Sequence, residues 1–221
     1  MPADCANALS MMQDTEALLA VLRRAPVVPV LIVDNVDYAV PLAKALVAGG
    51  LPALEVTMRT PVALDVIKAM ASVEGAFVGA GTVLDPEMAD AAKAAGATYM
   101  VSPGATPTLL AHALKIGMPL LPGVATASEA MMARECGYRI MKFFPAGPAG
   151  GPTYLKALSS PLAELTFCPT GGVSAANARD YLSLPNVVCV GGSWVAPDDA
   201  MRSGDWARIE ALAAEAVKLA V

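Results

Sequence analysis

The 221-residue chain has one histidine, His112. Zinc chemistry normally draws on several His ligands. His112 sits alone on an Ala- and Leu-rich helical stretch, so a packed or surface role is expected of it and no metal or cofactor is expected of the chain. Aromatic residues are only 5% of the sequence, and the net charge is −5 with no basic stripe. Both argue against a nucleic-acid partner. No apolar run approaches the roughly 18 residues that a membrane span needs. Residues 1–15 carry Asp4 and Asp14 and no basic leader, so no signal peptide is read there and a cytoplasmic location is expected. The four cysteines, Cys5, Cys136, Cys168 and Cys189, include no CxxC pair and are expected to be reduced thiols. No GxGxxG follows the first apolar run, which leaves an open dinucleotide-binding sheet without its fingerprint.

What remains is apolar and periodic. Hydrophobic residues make up 56% of the chain and charged ones 16%. Strand-like runs fall at residues 27–33, 53–58, 76–82, 98–102, 119–124, 139–145, 165–169 and 187–191. Helix-like stretches separate them at 37–48, 61–72, 86–95, 107–116, 128–136, 154–158 and 174–181, with flanking helices at 15–23 and 206–219. Pro61, Pro86 and Pro107 suit first helical positions, where a missing N–H costs nothing. Eight strands alternating with helices, apolar almost throughout, predict an α/β chain folded as a single (β/α)8 TIM barrel with an extra N-terminal helix. No linker divides the chain, so residues 1–221 are expected to form one domain.

Barrel active sites lie at the C-terminal ends of the strands, so polar residues within apolar strands carry the chemical interest. Of seven lysines, Lys44, Lys68, Lys93, Lys115, Lys156 and Lys218 fall on helix-like stretches, and Lys142 alone lies in a strand. An ammonium is costly to bury, and a neutral lysine amine is a nucleophile; an edge-strand or ion-paired structural lysine is the plainer alternative. Glu55 is the one carboxylate well inside a strand-like run. Strand alternation puts Glu55, Thr57 and Arg59 on one face and Leu54, Val56 and Met58 on the other. The first face should point into the barrel, offering a proton-transfer group and a guanidinium fork. A structural Glu55–Arg59 ion pair is the competing reading. Thr170-Gly171-Gly172 and Gly191-Gly192-Ser193 follow the seventh and eighth runs, where barrels often hold phosphate on backbone N–H groups, although a Gly-Gly pair alone is merely a turn.

Five motifs, in this order, resemble the 2-keto-3-deoxy-6-phosphogluconate (KDPG) aldolase family: Leu54-Glu55-Val56-Thr57-Met58-Arg59-Thr60, Val78-Gly79-Ala80-Gly81-Thr82-Val83-Leu84, Lys142-Phe143-Phe144-Pro145-Ala146, Cys168-Pro169-Thr170-Gly171-Gly172-Val173 and Gly191-Gly192-Ser193-Trp194. The resemblance spans the chain from about Val27 onward. It implies a class I aldolase, usually a homotrimer, that splits KDPG into pyruvate and glyceraldehyde 3-phosphate in the Entner–Doudoroff pathway and often cleaves 4-hydroxy-2-oxoglutarate. It implies Lys142 as Schiff-base lysine, Glu55 as general acid/base, and Arg59 and Thr82 as contacts of the pyruvate carboxylate. Pro103 and Phe144 would wall the pyruvate pocket. Gly171, Gly172 and Ser193 would hold phosphate, with Thr170 near a substrate hydroxyl. Three rivals stand beside this reading: an aldolase for the 2-keto-3-deoxy-6-phosphogalactonate epimer, a sugar-phosphate isomerase or epimerase, and a non-catalytic phosphate-binding barrel.

Overall fold

The computed structural model describes residues 13–220. Residues 1–12, with Cys5 and most of the segment read as carrying no signal peptide, and residue 221 lie outside the described residues.

The fold is α/β with all strand pairings parallel. The strands are β1 (Val27–Leu31), β2 (Ala53–Thr57), β3 (Phe77–Gly81), β4 (Tyr99–Val101), β5 (Leu120–Leu121), β6 (Gly123–Val124), β7 (Ile140–Phe143), β8 (Thr166–Pro169) and β9 (Val190–Gly192). The run predicted at 119–124 is thus two short pieces, β5 and β6, on either side of Pro122. Proline has no N–H for a ladder, but the Pro122 carbonyl still accepts from Lys142 N at 2.9 Å. One six-stranded sheet runs β5-β4-β3-β2-β1-β9 and a three-stranded sheet runs β6-β7-β8. They join along the chain at Pro122 and through isolated parallel bridges, Phe167 to Val187 and Thr170 to Gly191.

The helices are α1 (Thr15–Leu22), α2 (Ala39–Ala48), α3 (Ala63–Met70), α4 (Pro86–Ala94), α5 (Pro107–Lys115), α6 (Ala127–Glu135), α7 (Gly151–Leu158), α8 (Ala178–Leu182), α9 (Asp198–Ser203) and α10 (Trp206–Val217). Local chemistry sets several starts. Asp85 and Thr106 cap α4 and α5 ahead of Pro86 and Pro107, and Thr126 with Glu129 forms a capping box on α6. Pro61 is not a first helical residue: it lies in the turn before Val62, the N-cap of α3. None of the described helices is long and apolar enough to cross a membrane.

Period-two alternation divides the apolar side chains. One large cluster lies between strands and helices, including Leu54, Val56, Met141 and Phe143. A second, smaller cluster gathers the opposite faces: Val28, Ala53, Tyr99, Val101, Leu121, Ile140, Cys168 and Cys189, with Leu18, Leu19 and Leu22 of α1 packed against them. Gly79 makes room for the Tyr99 ring, which a Cβ at that position would strike. Cys168 and Cys189 are free thiols here, as expected; Cys136 is disulfide-bonded, so the expectation of reduced cysteines fails at that residue.

Candidate active site

Two residues beyond six members of the inner cluster, the chain presents another set of residues to the same interior. Ala53 is followed by Glu55, Ile140 by Lys142, Cys168 by Thr170, Val101 by Pro103, Leu121 by Gly123, and Cys189 by Gly191. An apolar floor therefore carries a layer of polar side chains, Glu55, Lys142 and Thr170, interspersed with Pro103, Gly123 and Gly191. Glu55 is 3% and Lys142 6% exposed. Lys142 Nζ donates to Glu55 Oε1 at 3.1 Å across 87 residues of sequence, and it stands 5.2 Å from the centroid of the Phe144 ring.

The glycines supply space. A Cβ on Gly81 would meet the Glu55 carboxyl, one on Gly123 would meet the backbone of Pro103, and one on Gly191 would meet the Thr170 hydroxyl. Thr170 is buried, and its Oγ1 has no hydrogen-bond partner. A buried hydroxyl without a partner costs about 1–3 kcal/mol, a cost that a bound polar group would remove. Thr82, directly after β3, holds φ at 61° without being glycine. For a β-branched residue that conformation is strained. Phe144 lies behind Gly171 and precedes a cis peptide to Pro145.

Arg59 lies past the end of β2 in the turn to α3, exposed, and makes no ion pair among the described residues. The alternative Glu55–Arg59 structural pair is thus not formed: Glu55 turns inward to Lys142. Hydroxyls on both sides of Arg59 tie its turn to the end of β1, Thr57 to Leu31 O at 2.8 Å and Thr60 to Val33 O at 2.7 Å. Ser193 follows β9 and is exposed at a cavity of about 350 Å³, shared with Val30, Ile32, Met201 and Arg202. His112 lies elsewhere, on α5, where its Nε2 is 2.9 Å from Asp90 Oδ1.

The floor is electrostatically quiet. Burial, then the Glu55 carboxylate, hold the Tyr99 phenol well above its ordinary range, and its hydroxyl donates to Leu54 O at 2.9 Å. The Cys189 thiol is pushed up by its hydrogen bond to Cys168 and by burial. Both groups stay neutral beneath the Lys142–Glu55 pair. Gly81-Thr82 and Ser102-Pro103-Gly104 follow the third and fourth runs in the sequence and fit the same glycine-rich rim; sequence reasoning did not single out Gly123 or Tyr99. Ser102 accepts from Gly123 N at 3.4 Å and donates to Gly104 O at 2.6 Å, bracketing Pro103. Alternation from Glu55 and Lys142 would have found the floor; no local signal marks the glycines as space for a carboxylate.

A family model described as KDPG and KHG aldolase matches residues 18–212. The 2-dehydro-3-deoxy-phosphogluconate aldolase of Pseudoalteromonas atlantica is 52% identical over 198 residues, 89% of this chain and 92% of that protein. The crystal structure of the 2-keto-3-deoxy-6-phosphogluconate aldolase of Zymomonas mobilis with 3-phosphoglycerate is similar at a TM-score of 0.86 and 49% identity, covering 90% of this chain and 94% of that one. That of the Legionella pneumophila KDPG aldolase, with pyruvate captured as a covalent carbinolamine, is similar at a TM-score of 0.88 and 44% identity, covering 90% and 97%.

Proposed function

This chain belongs to the KDPG and KHG aldolase family, and on that premise we propose that it is a class I aldolase cleaving KDPG to pyruvate and glyceraldehyde 3-phosphate, and 4-hydroxy-2-oxoglutarate as well. The observation that carries the reading is the Lys142–Glu55 pair, 3.1 Å apart on an apolar floor. Nothing in the reaction calls for a metal or cofactor.

Glu55 is within reach to take a proton from Lys142, leaving the amine free to attack the C2 ketone. Glu55 returns that proton to the carbinolamine hydroxyl, which leaves as water; this gives the iminium, the electron sink, and restores the Glu55 carboxylate. Glu55 then accepts the C4 hydroxyl proton, the C3–C4 bond breaks into the iminium, and glyceraldehyde 3-phosphate leaves. Glu55 returns its proton to the enamine carbon, and water hydrolyses the new iminium to release pyruvate and Lys142. Arg59 and Thr82 receive the pyruvate carboxylate, with Pro103 and Phe144 as walls. The unpartnered Thr170 hydroxyl meets a substrate hydroxyl, and Gly171, Gly172 and Ser193 meet the phosphate.

The pairing of β1 with β9 and the isolated bridges Phe167–Val187 and Thr170–Gly191 support reading the described residues as one closed (β/α)8 domain, with α1 as an additional helix under its floor. A homotrimer in the cytoplasm, serving the Entner–Doudoroff pathway, completes the proposal; light scattering tests the trimer. Steady-state pyruvate release from the two C4 epimers, 2-keto-3-deoxy-6-phosphogluconate and -galactonate, tests the substrate. Preference for the gluconate epimer is expected. Preference for the galactonate epimer would move the substrate assignment, and release from neither would favour an isomerase or epimerase.

A further inference from the structure

The loop after β8 directs its peptide groups in one sense. Thr170 O accepts from Ala146 N at 2.8 Å, Gly171 O from Gly147 N at 2.8 Å, and Gly172 O from Asn177 Nδ2 at 2.9 Å. In a trans peptide the carbonyl and the following N–H point oppositely. Tying back three successive carbonyls therefore turns the N–H groups of Gly171, Gly172 and Val173 to the other side. Gly171 and Gly172 have φ of 90° and 79°, a left-handed pair that only glycine adopts readily. Those three N–H groups have no acceptor among the described residues. Successive free N–H groups of this kind form an anion-binding concavity.

Two of the three ties are backbone, and the third is a side chain. Asn177 donates to Gly172 O and accepts from Ser174 N at 2.8 Å. It thus holds both sides of Val173. Asn177 also occupies the N-cap position of α8, where an Asn side chain ordinarily caps the helix; here it makes no cap hydrogen bond and is turned back into the loop instead.

We propose that Asn177 is a positioning residue for phosphate recognition, fixing the 172–173 peptide so that the Val173 N–H joins those of Gly171 and Gly172 in one anion site. This rests on the proposed aldolase reading and adds to it a residue that does not touch substrate. The test compares wild type with Asn177→Ala and Asn177→Asp on KDPG and on unphosphorylated 4-hydroxy-2-oxoglutarate, with inorganic phosphate as competitive inhibitor. Asn177→Asp keeps the acceptor for Ser174 N and loses the donor to Gly172 O. For both variants KM for KDPG and Ki for phosphate should rise about tenfold, the scale of one displaced hydrogen bond to a charged group. Values of kcat, and both parameters for 4-hydroxy-2-oxoglutarate, should stay within about twofold. Unchanged phosphate Ki in both variants would overturn the proposal, as would equal losses on both substrates. Failure of wild type to cleave KDPG would instead overturn the aldolase reading.

Discussion

Gly81→Ala is the most discriminating small change. The Gly81 φ is not left-handed, so alanine fits the backbone. The new methyl would fall 2.7 Å from Glu55 Cγ, 2.9 Å from Cδ, and closer still to Oε1. Ordinary contact distances lie near 3.5 Å, so the carboxyl must retreat by roughly 1 Å. That breaks the 3.1 Å contact with Lys142. A misplacement of about 1 Å can cost on the order of 100-fold in rate, or about 2.7 kcal/mol of transition-state stabilisation. The obstructed group is a side chain and not backbone, so the fold should lose no more than the roughly 1–3 kcal/mol typical of overpacking. Pyruvate-coupled steady-state kinetics alongside thermal melting give the readout. A folded variant with kcat reduced by about two orders of magnitude is expected. Wild-type kcat in a folded Gly81→Ala protein would refute the claim that the Glu55 position governs turnover.

Glu55→Gln should retain partial imine formation with pyruvate and turn over slowly, measured by borohydride trapping beside kcat; wild-type turnover would remove Glu55 from the mechanism. Tyr99 and Tyr138 are held above the ordinary phenol value of 10.0, chiefly by burial. Their raised folded-state values mean that the protonated phenols' contribution to stability is complete below pH 10 and is lost as pH rises above it. Phenolate absorbance at these two tyrosines should accordingly appear together with unfolding in an alkaline titration, and ionisation near pH 10 in the folded protein would contradict their burial. Thr126→Ala removes the capping box on α6 and should cost about 1 kcal/mol by denaturant melting, with kcat unchanged.

The alternation of strands and helices was legible because buried parallel strands are apolar on both faces. Boundaries failed where Gly and Pro have two uses. The helical stretch expected at 154–158 starts earlier, with Gly151 and Pro152 opening α7, where proline is tolerated because its N–H would be unpaired in the first turn. The stretch 174–181 read as one helix; its first four residues are instead a turn held by Asn177, and no sequence period separates the two. The short α9 was not foreseen at all. At the site, Lys142 and Glu55 stood out individually as charges in apolar strands. Their meeting depends on sheet curvature over 87 residues, which periodicity does not encode. Arg59 carried the right spacing for the inner face, but the strand ends at Thr57, so alternation no longer governs it.

The central claim is a covalent imine at Lys142. Incubation with pyruvate and borohydride, followed by peptide mapping, tests it directly. A single reduced adduct on Lys142, lost in Lys142→Ala, is the predicted result. An adduct on another lysine, or no pyruvate-dependent labelling of the folded protein, would contradict it.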